Sequence, residues 1–190
     1  MDYIAFIAGL PEIDWDDRKL SLTVAEFREQ LKDYISGRDE RLIDLFFLPN
    51  DNAQVLRLLR KQEPDGALST VYPVKLLEDE TQEPDKTIPA YLREFIADFK
   101  EEHLRYDVSP ENVLSWMYYD YMMKADNQLV KRYAEFSMNL KNLVTALNAR
   151  KYGMEVAKEV IGSSFADIQC ERFRFDPGLS LCRKSDCFDG

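Results

Sequence analysis

One histidine, a scatter of aspartates and three cysteines are the residues of this chain whose types could do chemistry. His103 could act as a general base, but Glu101, Glu102 and Arg105 surround it on a charged helix end, where a solvated surface histidine is the simpler reading. Asp14, Asp16 and Asp17 flank Trp15, and Asp120 and Asp126 lie near an aromatic-rich segment. Paired acids can bind a cation or serve hydrolysis, yet with 35 acidic residues among 190 such proximity carries little information, and turn or capping use is favoured. Cys170, Cys182 and Cys187 are odd in number, include no Cys-x-x-Cys pair and have a single histidine to join them, so reduced thiols fit better than a zinc site or a disulfide framework. The seven glycines form neither Gly-x-x-x-x-Gly-Lys-Ser/Thr nor Gly-x-Gly-x-x-Gly, so no phosphate cradle is visible. The expectation is a protein without catalytic residues, cofactor or metal: not an enzyme.

Composition narrows the partners. A formal net charge of −10 opposes phosphate backbones and anionic headgroups, so nucleic acid and the membrane surface are both poor partners, and a basic protein partner suits better. A hydrophobic content of 45% is ample for a buried core. No apolar run approaches the ~20 residues of a spanning helix, and Ile4 to Leu10 lacks the basic flank of a signal peptide. A soluble, cytoplasmic chain is expected.

The elements that would position any site read as helices. Between Phe136 and Gly153, Leu140, Leu143, Val144 and Leu147 recur at the spacing of one helical face, and Gly153 supplies a left-handed stop. Leu143, Leu147 and Arg150 share a stripe, which places a guanidinium at the end of an apolar seam. A related arrangement lies earlier: Phe46, Asn52, Arg60 and Lys61 match Phe136, Asn142, Arg150 and Lys151 at a constant offset of 90, at what reads as the start and end of each helix. A duplicated helical unit follows, with Asn52, Arg60, Asn142 and Arg150 as structural polar contacts. Asn142 is expected to bond backbone near its helix start, and Arg150 to favour the negative helix end while pairing with an acid of a neighbouring helix.

Around these seams, Tyr3 to Pro11 is too short for periodicity to assign, and Gly9 and Pro11 end it. Thr23 and Glu26 form a capping box ahead of Val24, Phe27, Leu31 and Ile35, with Gly37 as the stop. A helix from Asp39 through Phe47 is apolar on most sides until Pro49 breaks it, and Asn50, Asp51 and Asn52 are placed to cap the next. Glu63 to Pro89, with prolines at 64, 73, 84 and 89, reads as a long connector with one short extended piece, its acidic run Glu78-Asp79-Glu80 solvated. A helix from Thr87 to Leu104 follows, then a restart at Ser109-Pro110. Trp116, Tyr118, Tyr119, Tyr121 and Met122 crowd that second helix; such a stripe is usually core, but so many large residues cannot share one face, which makes them a candidate interface. Leu129 to Phe136, a separate helix from Asn139, and Met154 to Ile161 complete the pattern. The expected organisation is all-α: a first lobe with its connector over 1–80, a second lobe over 81–165, and a charged tail over 166–190 that reads as a loosely held or truncated end.

Asn142 to Gly153, read as Asn-Leu-x-x-x-Leu-x-Ala-Arg-x-x-Gly, resembles the Asp-x-x-Asn-Leu-x-x-x-Leu-Arg-Ala-Arg pattern of the C/d family of V-type ATPase subunits. Asp51 to Arg60 is a looser second instance. The family's acid is kept at Asp51 but is Lys141 in the later copy, and its first arginine is Asn148 here. Tyr3 to Pro11, followed by Ser21, Glu26 and Phe27, is similar to a bacterial family encoded beside V-type ATP synthase genes that stands in for the C/d component. The resemblance implies an all-helical protein of repeated lobes, non-catalytic, coupling the central rotor shaft to the membrane proteolipid ring and peripheral to the inner membrane through that complex. Two alternatives stand beside it: a helical ligand-binding or regulatory module with a pocket near Trp116 to Met123, and a carboxylate-based hydrolase or metal enzyme.

Overall fold

The structure, a computed structural model, describes residues 3–14, 16, 21–83, 87–104 and 108–162, with the side chain of Ala157 left aside. Trp15, Asp17, Arg105, the three cysteines and the whole of the 166–190 tail lie outside them. The described residues contain nine helices and no strand, so the chain is all-α: α1 (Tyr3–Ala8), α2 (Val24–Lys32), α3 (Gly37–Asp44), α4 (Leu48–Leu59), α5 (Val74–Gln82), α6 (Ala90–Lys100), α7 (Pro110–Met123), α8 (Gln128–Tyr152) and α9 (Val156–Glu159).

The chain divides into two compact units, Met1–Ile96 and Ala97–Gly190, the division falling within α6 rather than at residue 80. In unit 1, α4 packs on α5, and Leu48, Val55, Leu77, Ile88, Leu92, Phe95 and Ile96 are buried. Phe6 of α1 stacks against Phe27 and Tyr34, with ring centroids 5.9 and 4.8 Å apart. The Thr23 capping box forms as expected: Thr23 Oγ1 accepts from the Glu26 amide, and the Glu26 carboxylate accepts from the Thr23 amide at 2.8 Å.

Three expectations about unit 1 are corrected. Gly37 does not close α2, which ends at Lys32; it opens α3, with Ser36 as N-cap accepting from the Asp39 amide. Pro49 stands in the first turn of α4, where it lacks only a hydrogen that no helical carbonyl would have accepted; it begins a helix, while α3 has already ended at Asp44 and not at Phe47. The connector carries a helix, α5, in place of an extended piece, and its acidic run is not all solvated: Glu80 is 2% exposed. Pro73 at the N-cap of α5 is the local reason, since a fixed φ of −56° leads directly into a first turn.

In unit 2, α7 and α9 both pack on α8. Ser109 caps α7 by accepting from the Asn112 amide, with Pro110 as its first residue, as the sequence indicates. The two helices expected on either side of Ser137 are one continuous α8 of 25 residues, because nothing between Phe136 and Asn139 interrupts the backbone ladder. It ends at Gly153, whose φ of 67° is the left-handed conformation that only glycine adopts without strain.

Candidate functional site

In unit 1, α4 holds the segment 65–72 through a row of polar side chains. The buried Asp51 carboxylate accepts two backbone amides, Val71 N–H at Oδ2 and Tyr72 N–H at Oδ1, each at 2.9 Å. Beside it Asn50 Nδ2 donates to the Ser69 carbonyl at 2.9 Å, and further along the helix Gln54 Oε1 accepts the Asp65 amide at 3.1 Å. Asn52 faces a different neighbour: its Oδ1 accepts the Tyr91 hydroxyl of α6 at 2.8 Å. These residues do not cap α4 from outside it, contrary to expectation. They lie inside its first turns, and their oxygens and nitrogens serve buried and part-buried groups far along the chain.

Arg28 of α2 completes the clamp. Its guanidinium donates to the Thr70 carbonyl at 2.9 Å, to Ser69 Oγ at 3.3 Å and to Asp44 Oδ1 at 3.0 Å, and it lies 4.3 Å above the Phe47 ring. A planar donor fork is suited to joining three segments this way. Burial pushes the Asp44 carboxyl up despite the Arg28 charge and hydrogen bond beside it. Burial likewise raises Asp51, and the two amides only partly draw it back.

Unit 2 holds its own returning segment with amides. Asn142, 1% exposed on α8, donates from Nδ2 to the Ile161 carbonyl and accepts the Ile161 amide at Oδ1, both at 2.9 Å. Asn112 of α7 donates to the Glu159 carbonyl at 3.1 Å. Gly162, with φ of 96°, brings the chain against the Trp116 ring, where an added Cβ would lie 3.5 Å from the indole. Asn142 therefore bonds backbone, as expected of it, but at the far end of the unit and not near a helix start. Lys141 beside it is half-buried, donates to Ser115 Oγ at 2.8 Å, and has its amine driven down by burial.

The remaining sequence candidates fall as follows. Residues 52–59 and 142–150 are both helical, but they stand at different places in their helices. Arg60 is the C-cap of α4, whereas Arg150 lies within α8 ahead of Gly153, and both are exposed. Phe46 precedes α4 while Phe136 sits in the middle of α8, so the matched residues do not mark equivalent helix ends. Tyr118 and Met122 are buried at 5% and 0%; Trp116, Tyr119 and Tyr121 keep part of their surface. Burial raises the Tyr118 phenol strongly, with Tyr119 and Tyr133 adding to the effect.

The groups that could do chemistry do not converge. His103 Nδ1 lies 3.1 Å from Glu101 on an exposed helix end, Asp14 accepts the Asp16 amide across a turn at 3.3 Å, and Asp120 pairs with Lys124 one turn on. Among the described residues no group of three or more His, Cys, Asp or Glu could hold a metal ion, and no helix is long and apolar enough to cross a membrane.

A family model matches residues 1–170, most of the chain and all of its described part. The chain belongs to the DUF2764 family. That family is described as a protein of unknown function. No curated protein and no solved structure matches. Within this DUF2764 chain the residues that composition alone would have hidden are Arg28 and Gln54, single polar positions on amphipathic helices. Their signal is weak: Arg28 continues the Val24, Phe27, Leu31 face of α2, where a solvated arginine would not be expected.

Proposed function

We propose that this protein is a non-catalytic component of a bacterial V-type ATP synthase, of the C/d type, coupling the central rotor shaft to the proteolipid ring. The reading is carried by the paired motifs Asp51–Arg60 and Asn142–Gly153, each on a leucine-rich helix whose polar residues serve packing and not chemistry. A part that transmits torque needs stiffness, and each unit ties its returning segment to a helix with two or more buried or part-buried hydrogen bonds worth about 1 kcal/mol apiece net. A net charge of −10 favours protein partners over lipid or nucleic acid, in keeping with a component that reaches the inner membrane only through its complex.

The test is co-purification. An affinity tag on this chain in its native host should bring down the shaft and catalytic subunits of the rotary ATPase in fixed ratio, and purified shaft subunits should retain the untagged chain in a pull-down. A chain that purifies without them in both experiments overturns the assignment.

A further inference from the structure

Helix α8 buries its small and polar side and leaves its large apolar side in solvent. Val130, Ala134, Asn142 and Ala149 are the buried residues, and α7 and α9 both pack on this helix. On the opposite side Leu129, Tyr133, Phe136, Leu140, Val144 and Leu147 are 74, 46, 65, 48, 49 and 44% exposed. With the half-buried Leu143, six of these residues (129, 133, 136, 140, 143 and 147) alternate by four and three, the repeat with which one helix seams against another. At 1.5 Å per residue the stripe is about 27 Å long. A continuous apolar face of that length is uncommon on a surface with no partner.

Charge selects what covers it. Helix α8 carries five basic residues and one acidic one in a chain whose net charge is −10. The exposed Arg132 flanks one end of the stripe, and the exposed Arg150 and Lys151 flank the other. Glu135, the one acid, falls about 130° from the stripe centre at 100° per residue, on the packed side. Two copies of this helix would oppose Arg132 to Arg132 if parallel, or Arg132 to Arg150 and Lys151 if antiparallel, and both arrangements bring like charges together.

We infer that the Leu129–Leu147 face of α8 is a docking seam for an amphipathic helix of another protein that carries carboxylates beside its apolar stripe. The coupling role proposed above is not needed for this inference, which stands on α8 alone.

The test titrates the full chain into two labelled peptides of about 28 residues, both with leucine and isoleucine at the seam positions. One has glutamate at the flanking positions and the other lysine. The glutamate peptide should bind at least about 10-fold tighter, and Phe136→Glu with Leu140→Glu should weaken it by about 10-fold or more while leaving the helical circular dichroism and the melting midpoint unchanged. Arg132→Glu with Lys151→Glu, on exposed side chains, should narrow or invert the preference between the peptides. The inference is overturned if neither peptide binds or the two bind equally. It is also overturned if the chain is a dimer that the Phe136/Leu140 substitutions make monomeric, which would assign the face to a second copy. Loss of melting stability in that variant would assign the face to this chain's own residues, and likewise overturns it.

Discussion

Unit 1 holds the amides of Val71 and Tyr72 with a carboxylate, and unit 2 holds the backbone of Ile161 with a carboxamide. The difference follows from what each segment presents. Val71 and Tyr72 offer two successive N–H groups, and the Asp51 carboxyl sets one oxygen against each. Ile161 offers one N–H and one C=O, which need an acceptor and a donor together, the pair an asparagine carries. At the constant offset the counterpart of Asp51 is Lys141 and that of Asn142 is Asn52, so the clamping role stands one position apart in the two units. Similar sequence at two places thus serves backbone of different polarity, and the side chain follows the backbone.

Exchanging the two chemistries breaks the comparison most severely in unit 2. Asn142→Asp replaces the donor to the Ile161 carbonyl with a buried carboxylate oxygen, and about 3 kcal/mol of stability should be lost at neutral pH. A protonated carboxyl can donate to that carbonyl, so the urea midpoint of the variant should recover toward the wild type on acidification.

The reciprocal change, Asp51→Asn, leaves one of the Val71 and Tyr72 amides without its acceptor, at a cost of about 1–3 kcal/mol. Amide hydrogen exchange should show that one of the two quickens. The folded-state value of Asp51 is raised, so the stability this group contributes is full below the ordinary carboxylate range and is lost as pH rises through the raised value. The asparagine variant has no such dependence, and the gap between wild type and variant should therefore narrow as pH rises across that window.

Arg28→Met sharpens the comparison within unit 1, because it removes the tie to Thr70 and the charge beside the half-buried Asp44 while leaving the Asp51 bonds in place. A loss of about 1–2 kcal/mol is expected, with limited proteolysis cutting first between residues 65 and 72. Smallest is Lys141→Met. Burial depresses the amine, so at neutral pH the charged form opposes folding, and its removal should raise the stability by less than about 1 kcal/mol after solvent screening, read as a slightly higher melting midpoint. An unchanged or lower midpoint would mean that the bond to Ser115 outweighs the burial of the charge.

Much of the fold is legible because its signals are local. Thr23 with Glu26, Ser109 with Pro110, and Gly153 at the end of α8 act over one turn of chain, and each stands where its residue types require. Proline carries the opposite sign from expectation at 49 and 73, because the same fixed φ that ends one helix can begin another, and only the following residues' packing chooses. The clamps are half legible. Asn142 stands out as a polar residue in a leucine seam, whereas Asp51 reads as part of a capping cluster, since nothing nearby reveals amides 20 and 21 residues on.

The residue pattern by itself determined that this chain is helical, where several helices start and stop, and that α8 has one apolar face. Tertiary structure alone decided that α7 and α9 cover the other face, that Asp51 is buried, and that a carboxylate in one unit does what an amide does in the next. Periodicity is a property of the helix and can be read along it. Burial and hydrogen-bond partnership belong to pairs of segments, and the free energy that selects those pairs is summed over contacts distant in the chain.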